Sequence, residues 1–207
     1  VSSGDINGDG YDDIIIGADG GDPNGNNRAG ETYVVYGRES ISGTVELTDA
    51  NITLNGISAV DESGHAVSSG DINGDGYDDI IIGAYGAGPN GIDWAGETYV
   101  VYGGDSISGT IELTDSNITL NGIAESDWSG EAVSSGDING DGYDDIIIGA
   151  RRAEPNGNNR AGATYVVYGG DSISGTIELT AANITLNGID EDDESGRAVS
   201  SGDINGD

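Results

Sequence analysis

The chain has no cysteine, no methionine, no phenylalanine and no lysine, and its 207 residues include one histidine and three prolines. Without cysteine no disulfide can staple the fold. That alone decides no compartment, because large extracellular repeats often lack disulfides. Positive charge is nearly absent: six arginines face 38 acidic residues, for a net charge of −32. Such a charge excludes a nucleic-acid partner on electrostatic grounds, and it makes the chain repel itself on compaction unless cations neutralise part of it. No stretch approaches the roughly 20 apolar residues that a helical membrane span requires. No leader is visible, but the chain opens at Val1 in the middle of a repeat, so a missing leader excludes nothing.

What the chain does have is repetition. The nonapeptide Asp5-Ile6-Asn7-Gly8-Asp9-Gly10-Tyr11-Asp12-Asp13 recurs unchanged from Asp71 and again from Asp137, and a fourth copy starts at Asp203, each 66 residues after the last. The units are therefore 1–66, 67–132 and 133–198, with 199–207 beginning a truncated fourth. A fixed period of this size marks a tandem array, in which each unit stacks on its neighbours.

Within a unit, 132–137 reads as a short strand leading into its loop. Ile80-Ile81-Ile82-Gly83-Ala84 is a β-branched apolar run suited to a strand covered on both faces. Pro89-Asn90-Gly91 marks a turn, Thr98-Tyr99-Val100-Val101-Tyr102 a strand, and Asn117-Ile118-Thr119-Leu120 a last strand. Thr110-Ile111-Glu112-Leu113 alternates and reads either as a strand or as an extended crossing segment. No ten-residue amphipathic helical pattern occurs, so the class is all-β. About four short strands in such a period is the size of a β-propeller blade.

Calcium takes six to eight hard oxygen ligands converging from a tight turn. The loop offers side-chain oxygens from Asp5, Asn7 and Asp9 at positions 1, 3 and 5, the backbone carbonyl of Tyr11 at 7 and the carboxylate of Asp13 at 9. Gly8 and Gly10 permit the sharp path. Position 12 is Ile16, where an EF-hand needs a bidentate glutamate, so this is a strand–loop–strand site. The alternative is a metal-free Asp/Asn/Gly turn, against which stands the mutual repulsion of three converging carboxylates.

The loop followed by Ile80-Ile81-Ile82-Gly83-Ala84 resembles the FG-GAP repeat, the blade unit of integrin alpha-chain propellers and of many bacterial surface proteins. The resemblance covers the whole chain. It implies tandem four-stranded antiparallel blades, three of them, with a ring not closed by this chain alone, since integrin-like propellers have seven. It also implies one calcium per complete repeat, three in all. The ligands carried over are Asp5, Asn7, Asp9, Tyr11 and Asp13; Asp71, Asn73, Asp75, Tyr77 and Asp79; and Asp137, Asn139, Asp141, Tyr143 and Asp145. Three bound Ca²⁺ would bring the formal charge from −32 to −26.

Copies two and three differ at 13 of 66 positions, clustered after the second strand and before the first. In an up-and-down blade those loops share one face and the calcium loops lie on the other. Tyr85, Trp94 and Trp128 are then expected as exposed aromatics on the variable face, of the kind that stack on sugars or anchor partners. Drift on solvent loops and aromatic packing between blades are the competing readings. Asn51, Asn117 and Asn183 each open an N-x-T sequon, a glycosylation acceptor or simply a strand-opening Asn; Asn51 follows the polar turn Asp49-Ala50 and is expected to be reachable. His65 is matched by Glu131 and Arg197 in the other copies and carries no shared chemistry.

These features point to a non-catalytic, calcium-binding array, extracellular, secreted or at the cell surface, with an adhesive or structural role. Its partners are further blades of the same array or another copy of the chain, with glycans or a surface protein beyond. One variant is a segment of a long, glycosylated filament; another is a propeller that binds or cleaves polysaccharide. Cleavage would need a constellation that breaks the repeat, and one histidine with no lysine leaves little material for it.

Overall fold

The computed structural model describes residues 1–202; the truncated loop that begins at Asp203 lies outside the described residues. Blade 1 contains β1 (Ser2–Gly4), β2 (Asp13–Ala18), β3 (Glu31–Val35) and β4 (Ile52–Asn55). Repeat 2 supplies β5 (Ala66–Gly70), β6 (Asp79–Ala84), β7 (Glu97–Val101), β8 (Gly109–Glu112) and β9 (Ile118–Asn121). Repeat 3 supplies β10 (Ala132–Gly136), β11 (Asp145–Ala150), β12 (Ala163–Val167), β13 (Gly175–Glu178) and β14 (Ile184–Asn187). Six one-turn 3-10 segments complete the described structure. No helix among the described residues is long and apolar enough to cross a membrane.

Each blade has four antiparallel strands, but two of the three sheets carry a fifth. The orders are β1-β2-β3-β4-β8, β5-β6-β7-β9-β13 and β10-β11-β12-β14. The fifth strand is parallel and comes from the following repeat: β8 lies on β4 with Ile52 opposite Gly109 and Asn55 opposite Glu112, and β13 lies on β9 in the same register. The alternating segment around Thr110 is thus both of the things its sequence allowed, a crossing segment and a strand of its neighbour's sheet.

Side-chain alternation explains how the triple isoleucine is buried, since successive residues of a strand face opposite sides of the sheet. Ile80 and Ile82 of β6 join Ile6, Ile15, Val34, Ile52 and Leu54 in a core between blades 1 and 2. Ile81 faces the other way and joins Ile146, Ile148 and Tyr165 in a core between blades 2 and 3. Fully burying each isoleucine contributes about 1.5–3 kcal/mol. The Pro89–Gly91 turn is a 3-10 segment with Asn90 at φ 56°, a left-handed position that Asn tolerates.

Blades meet closely at one glycine pair per joint. A Cβ on Gly83 would lie 1.9 Å from the Gly130 carbonyl oxygen, and one on Gly17 would lie 1.8 Å from that of Gly64. The obstacle is backbone, which cannot rotate aside. Gly83→Ala should therefore destabilise the chain by about 2 kcal/mol or more through overpacking. Gly20→Ala, with nothing within 4 Å of the added carbon, should not change the melting temperature; thermal denaturation of both variants checks this.

Candidate functional site

The repeated loop joins the first and second strands of each blade. In blade 1 the Asp5 carboxylate accepts the N–H groups of Asp9 at 3.0 Å and Gly10 at 2.9 Å. Asn7 Oδ1 accepts Asp9 N–H at 2.9 Å, and Asp9 Oδ1 accepts Tyr11 N–H at 3.0 Å. Gly8 and Gly10 sit at φ 73° and 88°, which lets the chain curl around these side chains. Asp71, Asn73 and Asp75 and their counterparts Asp137, Asn139 and Asp141 repeat the pattern. No N–H among the described residues bonds the Tyr11 carbonyl.

The ninth position behaves differently. Asp13, Asp79 and Asp145 are fully buried. Asp79 accepts Ile72 N–H at 3.0 Å and Gly103 N–H at 2.9 Å, tying the loop to the end of β7. Burial pushes its carboxyl up to about 7 against the lowering effect of those two bonds, and the Asp75 and Asp71 charges raise it further. Asp13 and Asp145 are raised for the same reasons.

The eighth position was not among the residues singled out from sequence, and it holds the blades together. Asp78 Oδ2 accepts Asp5 N–H at 2.9 Å while Asp78 N–H donates to Asp5 O at 3.1 Å; Asp144 and Asp71 repeat this at 3.1 and 3.0 Å. The Tyr77 ring lies over Gly8 of the preceding loop, so close that a Cβ there would meet its Cε1 at 2.4 Å. The identity of position eight across the copies was the only sequence signal of this, and a ligand-spacing rule skips it.

The donor set of each loop fits a hard cation: three carboxylates, an amide oxygen and a backbone carbonyl. Among the described residues no three carboxylate or imidazole groups close on one point. Asp5, Asn7 and Asp9 each accept N–H groups of their own loop, and their oxygens keep further lone pairs. No arginine pairs with a loop carboxylate among the described residues.

Against known families, the FG-GAP repeat matches residues 1–35, 63–101 and 129–167. The chain belongs to the FG-GAP repeat family. It is 31% identical over 200 residues to human phosphatidylinositol-glycan-specific phospholipase D, covering 92% of this chain and 23% of that protein. It is 32% identical over 192 residues to integrin alpha pat-2 of Caenorhabditis elegans, covering 89% and 14%. With integrin alpha-PS2 of Drosophila melanogaster it shares 28% over 184 residues, 81% and 11%. The chain thus spans less than a quarter of these relatives.

At the other end of the FG-GAP blades lie the loops that differ between copies. Tyr85, Trp94 and Trp128 are half-buried there instead of freely exposed, because they pack on one another. Ring centroids are 5.3 Å apart for Tyr85–Trp128 and 6.2 Å for Trp94–Trp128, His65 meets Tyr85 edge-on at 4.8 Å, and the Arg152 guanidinium lies 3.4 Å above Trp128. In repeat 1 the positions of Trp94 and Trp128 hold an Arg28–Glu62 ion pair at 2.8 Å, and in repeat 3 an Arg160–Glu194 pair. The three sequon asparagines are exposed and use Oδ1 to cap the preceding strand; Asn51 accepts Tyr36 N–H at 2.9 Å.

Two carboxylates beneath this end are covered by the following blade. Asp61 accepts Ser58 N–H and Asp127 accepts Ala124 N–H, while their carbonyls take the N–H of Gly86 and Arg152. Desolvation lifts both carboxyls to about 6; their counterpart Asp193, with no described blade beyond it, is exposed. A folded-state value above the ordinary 3.8 means that the folded chain holds the proton more tightly than the unfolded one. These groups therefore oppose folding above pH 6 and cease to do so as the pH falls toward 4. The Asp61→Asn/Asp127→Asn variant, which keeps both acceptors, should be more stable than the parent at pH 8 by roughly 3 kcal/mol per group. The gap should close by pH 4, as read from urea denaturation across that range.

Proposed function

We propose that the chain is a non-catalytic FG-GAP array, braced by calcium and working outside the cell in an adhesive or structural role. The observation that carries this reading is the buried Asp79 carboxylate, which feels the charges of Asp75 and Asp71 and has no protein cation paired with it among the described residues. Asp71, Asn73, Asp75, Asp79 and the Tyr77 carbonyl would hold the ion, and their counterparts would hold one in each of the other blades. A bound Ca²⁺ supplies charge neutralisation and a fixed loop shape. The protein's own groups do the rest: Asp79 locks the loop to the end of β7, and Asp78 passes the order of one loop to the preceding blade.

Three further points support the reading. The loop and its strands repeat unchanged, and the aromatic side chains unique to one copy among the described residues form one cluster with a single histidine. The similarity to phosphatidylinositol-glycan-specific phospholipase D falls on less than a quarter of that protein, and the same segment is similar to integrin alpha chains. A net charge of −32 suits water rich in calcium or salt. The aromatic cluster does not favour a polysaccharide site, since the three rings pack on one another and Arg152 covers a face of Trp128.

Calcium that binds only the folded chain stabilises it by about 2.7 kcal/mol per site at a hundredfold excess over the dissociation constant. Scanning calorimetry at low ionic strength should show a melting temperature at least several degrees higher in calcium than in EDTA. Asp75→Ala should lower the calcium-dependent gain by roughly one site's share. Identical melting curves with and without chelator would overturn the metal reading.

A further inference from the structure

One position breaks the repeat inside a joint between blades. Glu31 and Glu97 open β3 and β7, but Ala163 opens β12. In blades 1 and 2 the carboxylate at this position accepts the hydroxyl of the tyrosine two residues on, that of Tyr33 at 2.8 Å and that of Tyr99 in the same way. Blade 3 keeps the tyrosine, Tyr165, and lacks the carboxylate. Tyr165 is 6% exposed, and its hydroxyl has no hydrogen-bond partner among the described residues.

Where a glutamate would reach, a cavity of about 310 Å³ lies between blades 2 and 3. It sits among the loop after β9, the turn after β11, β12 and the end of β14, all within complete repeats. At the joint between blades 1 and 2 the Glu97 side chain takes the matching space, near enough for its charge to raise Asp61. The cavity therefore comes from an internal substitution. Its volume is at the small end of ligand sites, which run from roughly 300 to 1,000 Å³.

The unused groups define what would fill it. Asp127 lines the cavity beside Tyr165 and is equally buried; its Oδ2 accepts Ala124 N–H at 3.2 Å, while its Oδ1 accepts nothing among the described residues. Burial lifts this carboxyl to about 6, and the charge of Glu154, which stands where repeat 2 has Gly88, adds to the rise. Burial and then the Asp127 charge push the Tyr165 hydroxyl up to about 12, so it stays neutral and its oxygen is an available acceptor. No arginine lines the cavity, and Ile123, Ala153 and Pro155 give it an apolar wall. The exposed Glu125 and Glu154 line it too and draw cations toward it. A metal ion suits this wall poorly, since no three carboxylates among the described residues close on one point. An ammonium group suits it well: its N–H donors serve Asp127 Oδ1 and the Tyr165 oxygen together, and its charge offsets that of the buried carboxylate.

We propose that the cavity between blades 2 and 3 binds a compact organic ammonium ion, its nitrogen between Asp127 and Tyr165 and its aliphatic body against Ile123, Ala153 and Pro155. This goes beyond the array reading and does not depend on calcium in the loops.

Calorimetric titration of the 207-residue chain with cyclohexylammonium chloride tests it, at about pH 8 and with calcium in excess to compete for carboxylates at the surface. Saturable binding of one amine per chain is expected. Cyclohexanol has the same shape without the charge, and it should bind at least tenfold more weakly. Ala163→Glu restores the residue that the other two repeats carry, so it should fold, and it closes the cavity while taking the net charge from −32 to −33. Nonspecific attraction to an acidic surface predicts unchanged or tighter binding in this variant; the cavity predicts that binding is lost. Asp127→Asn, which keeps the acceptor, should weaken binding at least tenfold, and Tyr165→Phe severalfold, with thermal denaturation confirming that each variant is folded. No saturable binding up to about 10 mM amine, cyclohexanol binding as tightly as the amine, or Ala163→Glu binding like the parent would overturn the proposal.

Discussion

No unit of this chain can cover its own central strand, and the rest of the structure follows from that. The run Ile80-Ile81-Ile82 puts apolar side chains on both faces of one thin sheet, so half of its burial must come from the blade before and half from the blade after. The sheets approach until backbone meets backbone at Gly83 and Gly130. Contacts at such short range need the blades fixed in rotation as well as distance. The reciprocal bonds between Asp78 and Asp5 provide this at one end of the joint, and the crossing strand β8 provides it at the outer edge. Stability is then a property of interfaces more than of units, as in other stacked repeats.

The two ends of the array meet this demand with different chemistry. At the uniform end the same carboxylates are reused without change: those of positions 1, 5 and 9 serve the backbone of their own blade, and Asp78 and Asp144 serve that of the preceding one. The variable end is freer but not random. Arg28–Glu62, Trp94–Trp128 and Arg160–Glu194 occupy one pair of positions, so an ion pair, an aromatic pair and a second ion pair solve the same packing problem. A partly exposed ion pair contributes about 0–1 kcal/mol and an aromatic pair about 0.5–1.5 kcal/mol beyond its buried area, so such an exchange is tolerated provided both members change together. The copies diverge there as matched pairs, which is why Tyr85 and the two tryptophans face one another.

The period, the β class, the strands carrying the isoleucines and valines, and the loop with its glycines were legible in the sequence, because each rests on local pattern. What stayed hidden depends on a neighbour 66 residues away. Thr110 to Leu113 looked ambiguous because a strand that pairs with another repeat has no partner within its own. Asp78 was passed over because ligand spacing assigns a role to odd positions of the loop, while its bond runs to Asp5 of the blade before. Tyr85, Trp94 and Trp128 read as exposed because loops are polar and solvated on average; only the stacking of blades brings them together.

The same stacking concentrates charge. Asp12, Asp78 and Asp144 fall at one position of successive loops, and burial raises the Asp78 and Asp144 carboxyls while each also feels the carboxylate charges of the preceding loop. The clamp that orders the blades thus sets like charges in a row and withdraws them from water. Adding blades adds hydrophobic interface and repulsion together, so the array grows in stability only if the repulsion is met locally. The arginines in ion pairs among the described residues lie at the opposite end, and Arg38, next to the Gly37 that bonds Asp13, pairs with no loop carboxylate among them and has glycine in its place in the other two repeats. A small cation held within each loop would neutralise charge at the period of its build-up, and the loop is repeated at that period.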